Sequence, residues 1–215
     1  MDRSVFSAVV FAAAVFGLTA CSSEPAKTTE ARTDTTDTAK KAPAGPTEPV
    51  LAKTAFYEMY DPAHKWAPDM QPLSLTSGEI SGVKNSEGKA GLWTAVFGST
   101  SLMQSRTYTY AVADQLPAIT KGVRAEEAVP WRGPTQAAQT FQTSDFMIDS
   151  DAAYKTAAMK AADWLKDPAN ASKPWSMALG SAARFPSPVW YIVFGSDKSG
   201  YQAYISATTG SVITK

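Results

Sequence analysis

Few residues in this chain could do bond-making chemistry. The 215 residues hold one His, one Cys, and 20 acidic against 20 basic groups. A lone Cys excludes an internal disulfide framework and any zinc or iron–sulfur site built on several thiolates. A lone His, His64, excludes a two-His metal site, and a Ser/His/Asp arrangement would have to use it. His64 flanks an apolar stripe, where a helix-side position is the expectation, and a hydrolase pairing it with a nearby carboxylate is the alternative. Asp69 and Asp167 each follow a helical pattern and could serve as acid–base groups, but a carboxylate there commonly caps or turns the chain. The glycines are dispersed at turn positions, so no phosphate-cradling loop is implied. Zero formal net charge gives no footprint for nucleic acid. No cofactor and no metal are expected.

Cys21 gains meaning from what precedes it. Arg3 and the amino terminus open the chain, and an apolar run follows from Val5 to Leu18. That run is short of the roughly 20 apolar residues a membrane-spanning helix needs, and it has the length of a secretory signal core. Leu18-Thr19-Ala20-Cys21 then resembles the bacterial lipobox. The resemblance implies cleavage before Cys21 and a diacylglycerol on its thiol. Each buried acyl methylene contributes about 0.8 kcal/mol, so two or three chains make a stable anchor. Residues 1–20 are therefore expected to be a lipoprotein signal peptide, and the protein to sit in the cell envelope outside the cytoplasm. Ser22 resembles outer-membrane sorting, facing the periplasm, if the envelope is Gram-negative.

Residues 21–49 carry Thr, Ala, Pro, Lys and Glu and almost no large apolar side chains. Such a segment cannot bury enough surface to offset the entropy of ordering, and it reads as a disordered linker with a span on the order of 30 Å. All six Trp and all eight Tyr lie beyond it. The folded part is thus expected over residues 50–215, a length sufficient for a real core.

That part is written twice. Trp93-Thr94-Ala95-Val96-Phe97-Gly98-Ser99 matches Trp190-Tyr191-Ile192-Val193-Phe194-Gly195-Ser196 at five of seven positions, at an offset of 97. Ala55, Ala63, Trp66 and Asp69 match Ala153, Ala161, Trp164 and Asp167 at an offset of 98. Two separated blocks at nearly one offset indicate an internal duplication. Each copy opens on a helix. Ala55, Met59, Ala63 and Trp66 make one stripe, and Ala153, Ala157, Ala161 and Trp164 the other. Pro68 stops the first helix; Ser150 or Asp151 caps the second, and Asp167-Pro168 closes it. Strands are expected at Leu73–Leu75, Leu92–Phe97 and Thr107–Val112, then at Met177–Leu179, Val189–Phe194 and Tyr201–Ile205. A turn at Gly210 and a short final strand complete the layout. Helix followed by an antiparallel meander is an α+β arrangement. It predicts two helix-plus-sheet lobes, one over residues 50–125 and one over 143–215, with a connecting loop at 126–142.

The second copy resembles the PepSY domain, on Ser150-Asp151-Ala152-Ala153 and on Tyr204-Ile205-Ser206-Ala207-Thr208-Thr209-Gly210-Ser211-Val212-Ile213. Ser206 stands where that family's closing strand typically carries Asp, and Tyr110 to Asp114 of the first copy lacks the Thr-Gly turn. The resemblance implies a small helix-on-sheet module that binds and does not catalyse, with restraint of a secreted peptidase as one use. The expected partners are the membrane, through the lipid, and an envelope or secreted protein. Trp66, Trp93, Trp164 and Trp190 repeat and so belong to packing. Trp131 and Trp175 do not repeat, which makes them the better candidates for an exposed contact. A structural lipoprotein without a specific partner is the remaining alternative.

Overall fold

A computed structural model describes residues 47–214. The expected signal peptide, the lipobox-like residues Leu18, Thr19, Ala20 and Cys21, and most of the expected linker lie outside the described residues. No described helix is long and apolar enough to cross a membrane.

Helix α1 (Ala52–Trp66) follows its apolar stripe, with Ala55, Phe56, Met59 and Ala63 fully buried. Pro62 sits inside it and gives up one backbone N–H. The helix ends at Ala67, as Pro68 requires. Three strands follow, β1 (Gln71–Gly78), β2 (Leu92–Ser99) and β3 (Gln104–Ala111). The second half repeats this order. Its helix α2 (Ser150–Lys160) breaks at Ala161 and continues as two single turns, α3 (Ala162–Leu165) and α4 (Pro168–Ala171). Strands β6 (Trp175–Gly180), β7 (Val189–Phe194) and β8 (Tyr201–Ser206) complete it. Between the halves lie β4 (Gly122–Ala125), β5 (Val129–Pro130) and a short 3₁₀ turn at Thr143–Asp145.

The expected pair of lobes is instead one antiparallel sheet, in the order β4-β3-β2-β1-β6-β7-β8, with β5 also paired to β3. The first strands of the two halves pair with each other, through Ser74↔Gly180, Leu75↔Leu179 and Thr76↔Ala178. The Met177 N–H adds a 3.0 Å bond to the Ser77 hydroxyl. Both helices cover the same face, because Leu75, Trp93 and Phe97 alternate toward it from one half and Leu179, Trp190 and Phe194 from the other. All six belong to one buried cluster with the helix alanines. Trp93 and Trp190 meet edge to face at 6.4 Å. Each indole N–H donates to the carbonyl just before its own half's helix, Trp93 to Val50 at 3.1 Å and Trp190 to Ile148 at 2.9 Å. A buried indole needs such an acceptor, so the repeated Trp fixes the repeated helix start.

Two local expectations are corrected. Neither Ser150 nor Asp151 caps α2: Asp149 does, accepting the Ser150 N–H at 2.7 Å. The same carboxylate oxygen accepts the Lys53 N–H of α1 at 3.1 Å, and the buried Ser150 hydroxyl accepts the Ala52 N–H at 3.0 Å. The two helix starts therefore share one set of capping oxygens, which satisfies donors that a helix leaves unpaired. The second helix is also not one run: it breaks at Ala161, and Asp167-Pro168 closes its continuation at Leu165, with one further turn beyond. Asp167 caps α4, accepting the Ala169 N–H at 2.9 Å, with Pro168 in the first helical position that suits it.

The segment read as a loop at 126–142 straps the outer sheet face. Trp131 lies on Gly98, where a Cβ would come within 2.8 Å of its ring. At the carboxyl end, the expected strand reduces to one bridge, Ile205↔Val212. The Ser206 hydroxyl accepts the Thr208 and Thr209 N–H groups at 3.3 and 3.2 Å, and so holds the turn that Gly210 (φ 74°) completes.

Candidate functional site

The recurring carboxylates each accept a backbone N–H group of a nearby turn. Asp69 accepts the Ser101 N–H at 2.9 Å and the hydroxyls of Ser99 and Ser101 at 2.7 and 2.9 Å, with Thr100 at 3.3 Å. Donors to the charged form, led by the Ser101 backbone, hold its carboxyl well below the usual carboxylate range. Asp69 clamps the β2–β3 turn as Asp167 caps α4. His64 is exposed on α1 and stacks on Tyr60, with ring centres 6.2 Å apart. No carboxylate bonds to it among the described residues. The described residues also hold no group of three or more His, Cys, Asp or Glu placed to bind a metal ion.

Trp131 and Trp175 are both half-buried and lie on opposite faces of the sheet. Trp131 covers Gly98 on the outer face. Trp175 stands at the start of β6 on the helix face, against the Tyr154 ring of α2 at 5.2 Å. Tyr154 in turn meets Phe194 of β7 at 5.5 Å. These three rings, with Leu165, floor a cleft of about 640 Å³.

The opposite wall comes from the other half of the molecule. The β1–β2 loop, residues 79–91, crosses to α2 and presents Ile80 and Val83 to the rings. Asn85 holds this loop in shape: its amide donates to the Gly78 carbonyl at 2.9 Å and its carbonyl accepts the Gly91 N–H at 2.9 Å. Gly88 adopts φ 82° and lies so near α2 that a Cβ would run into the Ser150 carbonyl. Only glycine allows that contact. Glu79, Lys84, Glu87 and Lys173 supply mixed charge to the rim. Burial pushes the Tyr154 phenol above its ordinary pKa, and the nearby Glu87 charge adds to that, so Tyr154 stays a neutral donor. A second hollow of about 830 Å³ begins at Glu87 and Tyr154 and runs along α2 past Lys155 and the exposed Met159.

The arrangement can hold an extended chain or a partner's side chains, with aromatic contacts beneath and either sign of charge at the edge. Of the two Trp residues singled out from sequence, the structure brings only Trp175 into a cleft. Tyr154, Phe194, Ile80 and Val83 are the lining residues that sequence reasoning missed. The one signal for them was the length of the β1–β2 segment beside its counterpart in the second copy.

No protein-family model matches the chain, and no curated protein matches it in sequence. A crystal structure of a provisionally assigned lipoprotein from Clostridium difficile is similar at 9% identity with a TM-score of 0.43, over 74% of this chain and 90% of that one. At that distance it fixes neither family nor function.

Proposed function

We propose that this chain is a lipid-anchored protein of the bacterial cell envelope whose folded part is a non-catalytic binding domain for a protein or peptide. The cleft carries the binding half of this reading: an aromatic floor, walls from both halves and a rim of both charge signs suit a peptide better than a small charged substrate. The anchor rests on Leu18-Thr19-Ala20-Cys21 and the apolar run before it. The domain is read as two fused PepSY-like units, supported by the repeated Trp–carbonyl clasp and the repeated helix-then-three-strands order. Restraint of a secreted peptidase is the use that this likeness suggests. The outer membrane, facing the periplasm, is the proposed location in a Gram-negative envelope.

The test is co-purification of the full chain from its own envelope, beside Cys21→Ala, Trp175→Ala and the rim variant Lys84→Glu. The reading expects a protein or peptide retained by the wild type and lost from both cleft variants, and Cys21→Ala released from the membrane. A purified chain that hydrolyses peptides or esters, and stops doing so in His64→Ala, would establish the hydrolase instead. A membrane-bound chain that retains nothing would leave a structural lipoprotein.

A further inference from the structure

The outer face of the sheet carries a second concavity, separate from the cleft and built by the equivalent loop of the second half. Residues 181–188 join β6 to β7 and fold onto the outer face, tied to the strap by the Gln139 N–H on the Ser181 carbonyl (2.9 Å) and the Ala183 N–H on the Gln136 carbonyl (3.0 Å). They place Phe185 on Tyr204 at 5.8 Å, and Tyr204 on Tyr191 at 5.1 Å, with the rings inclined by 39° and 32°. This row of three rings borders a groove of about 400 Å³. Its floor is made of small groups, Ala178 and Gly180. A Cβ added at Gly180 meets only the Leu73 carbonyl, at 3.6 Å, so space lies above the floor.

One charge lines the groove. The Arg184 guanidinium sits over the Phe185 ring at 4.6 Å and the Tyr204 ring at 5.7 Å. Cation–π contact keeps the guanidinium beside the groove; among the described residues no acceptor bonds to it and no carboxylate lies in ion-pair range, so its N–H groups can pair with a planar acid. Tyr191 supplies no second charge. Its hydroxyl donates to Asp197 at 3.3 Å, and burial together with that carboxylate pushes its pKa up to about 12. A single held cation beside an apolar, ring-bordered floor complements a ligand that is flat, apolar and singly acidic. The volume falls in the range of small-molecule sites.

We propose that this groove binds a small aromatic carboxylate, its ring laid over Ala178 and Gly180 in continuation of the aromatic row and its acid group paired with Arg184. Ring-on-ring contact favours an aromatic body over an alkyl chain, and the open side of the groove leaves the acid group partly hydrated.

Calorimetric titration of the full chain in mild detergent with 2-naphthoate tests the assignment. Saturable binding is expected, weakened at least tenfold in Arg184→Met and abolished in Gly180→Val. Valine is the chosen block because its Cβ has room and β-branched residues suit a strand. Naphthalene-2-carboxamide and decanoate are expected to bind at least tenfold more weakly than 2-naphthoate. Absence of saturable binding overturns the proposal, as does heat that both variants leave unchanged, the mark of partition into micelles. Equal affinity for the carboxamide removes the role of Arg184, and equal affinity for decanoate removes the aromatic preference. Either result overturns the assignment as stated.

Discussion

The two halves of the molecule agree in their cores and part company in one loop. Both clasp an indole N–H to the residue before the helix, and both send alternate side chains into one shared interior. The loop after the first strand goes opposite ways. In the first half, residues 79–91 cross the helix face and wall the cleft around Trp175. In the second half, residues 181–188 turn to the outer face and border the groove at Arg184. A repeated scaffold held rigid by packing thus carries two different concave surfaces, each made by the segment that joins the first two strands of its half.

The comparison breaks most visibly at the shared core. Trp93→Ala and Trp190→Ala are each expected to cost about 3–5 kcal/mol in urea denaturation, within a single transition for the whole domain. Two separated transitions would show that the halves fold independently, against the continuous sheet. Gly88→Ala comes next. It shares a left-handed backbone cost with Gly82→Ala, since φ is 82° at one and 81° at the other. Gly82 has nothing near its Cβ position, whereas Gly88 meets α2. Denaturation should therefore place Gly88→Ala about 1–3 kcal/mol below Gly82→Ala, the range for overpacking. Equal losses would mean that the loop does not rest on α2.

Ser150→Ala sharpens the comparison at the junction of the helices. It leaves the buried Ala52 N–H of the other half without its acceptor, so a loss of about 1–2 kcal/mol is expected, read as a lower urea midpoint at unchanged slope. Asp69→Asn should have the smallest effect, and its pH dependence is the informative part. The folded state lowers the carboxyl's pKa, so its contribution is complete above the unfolded value of about 4 and fades as pH falls through the folded value. The gap between wild type and Asp69→Asn should stay level from about pH 7 to pH 5 and close in stronger acid. A gap that widens in acid would contradict the clamp.

Much of the repeated scaffold was legible in the sequence. Val189–Phe194 is a strand at the bounds its β-branched and aromatic residues indicate, and Ala153, Ala157 and Ala161 are all buried as their spacing requires. What escaped depends on contacts made far along the chain. The pairing of β1 with β6 follows from no local pattern, since either half could have closed on itself. Strands β4 and β5 are short and exposed, so they lack the alternation that marks a buried strand. The capping role of Asp149 was not legible, because it depends on the two helix starts lying side by side. Asp69 was legible as a turn-holding residue, though its partners were not. Of the candidate site, Trp175 stood out because it breaks the repeat; Tyr154 and Phe194 did not, because each fits its own element's pattern.

The most direct test of the account places a photoreactive residue in living cells at Glu79, exposed on the cleft rim, and at Tyr57, exposed on α1. A discrete adduct to a protein or peptide from position 79, absent from position 57 and lost when Trp175→Ala is added, is the expected result. Equal labelling from both positions, or an adduct indifferent to Trp175, would contradict the cleft as the binding site.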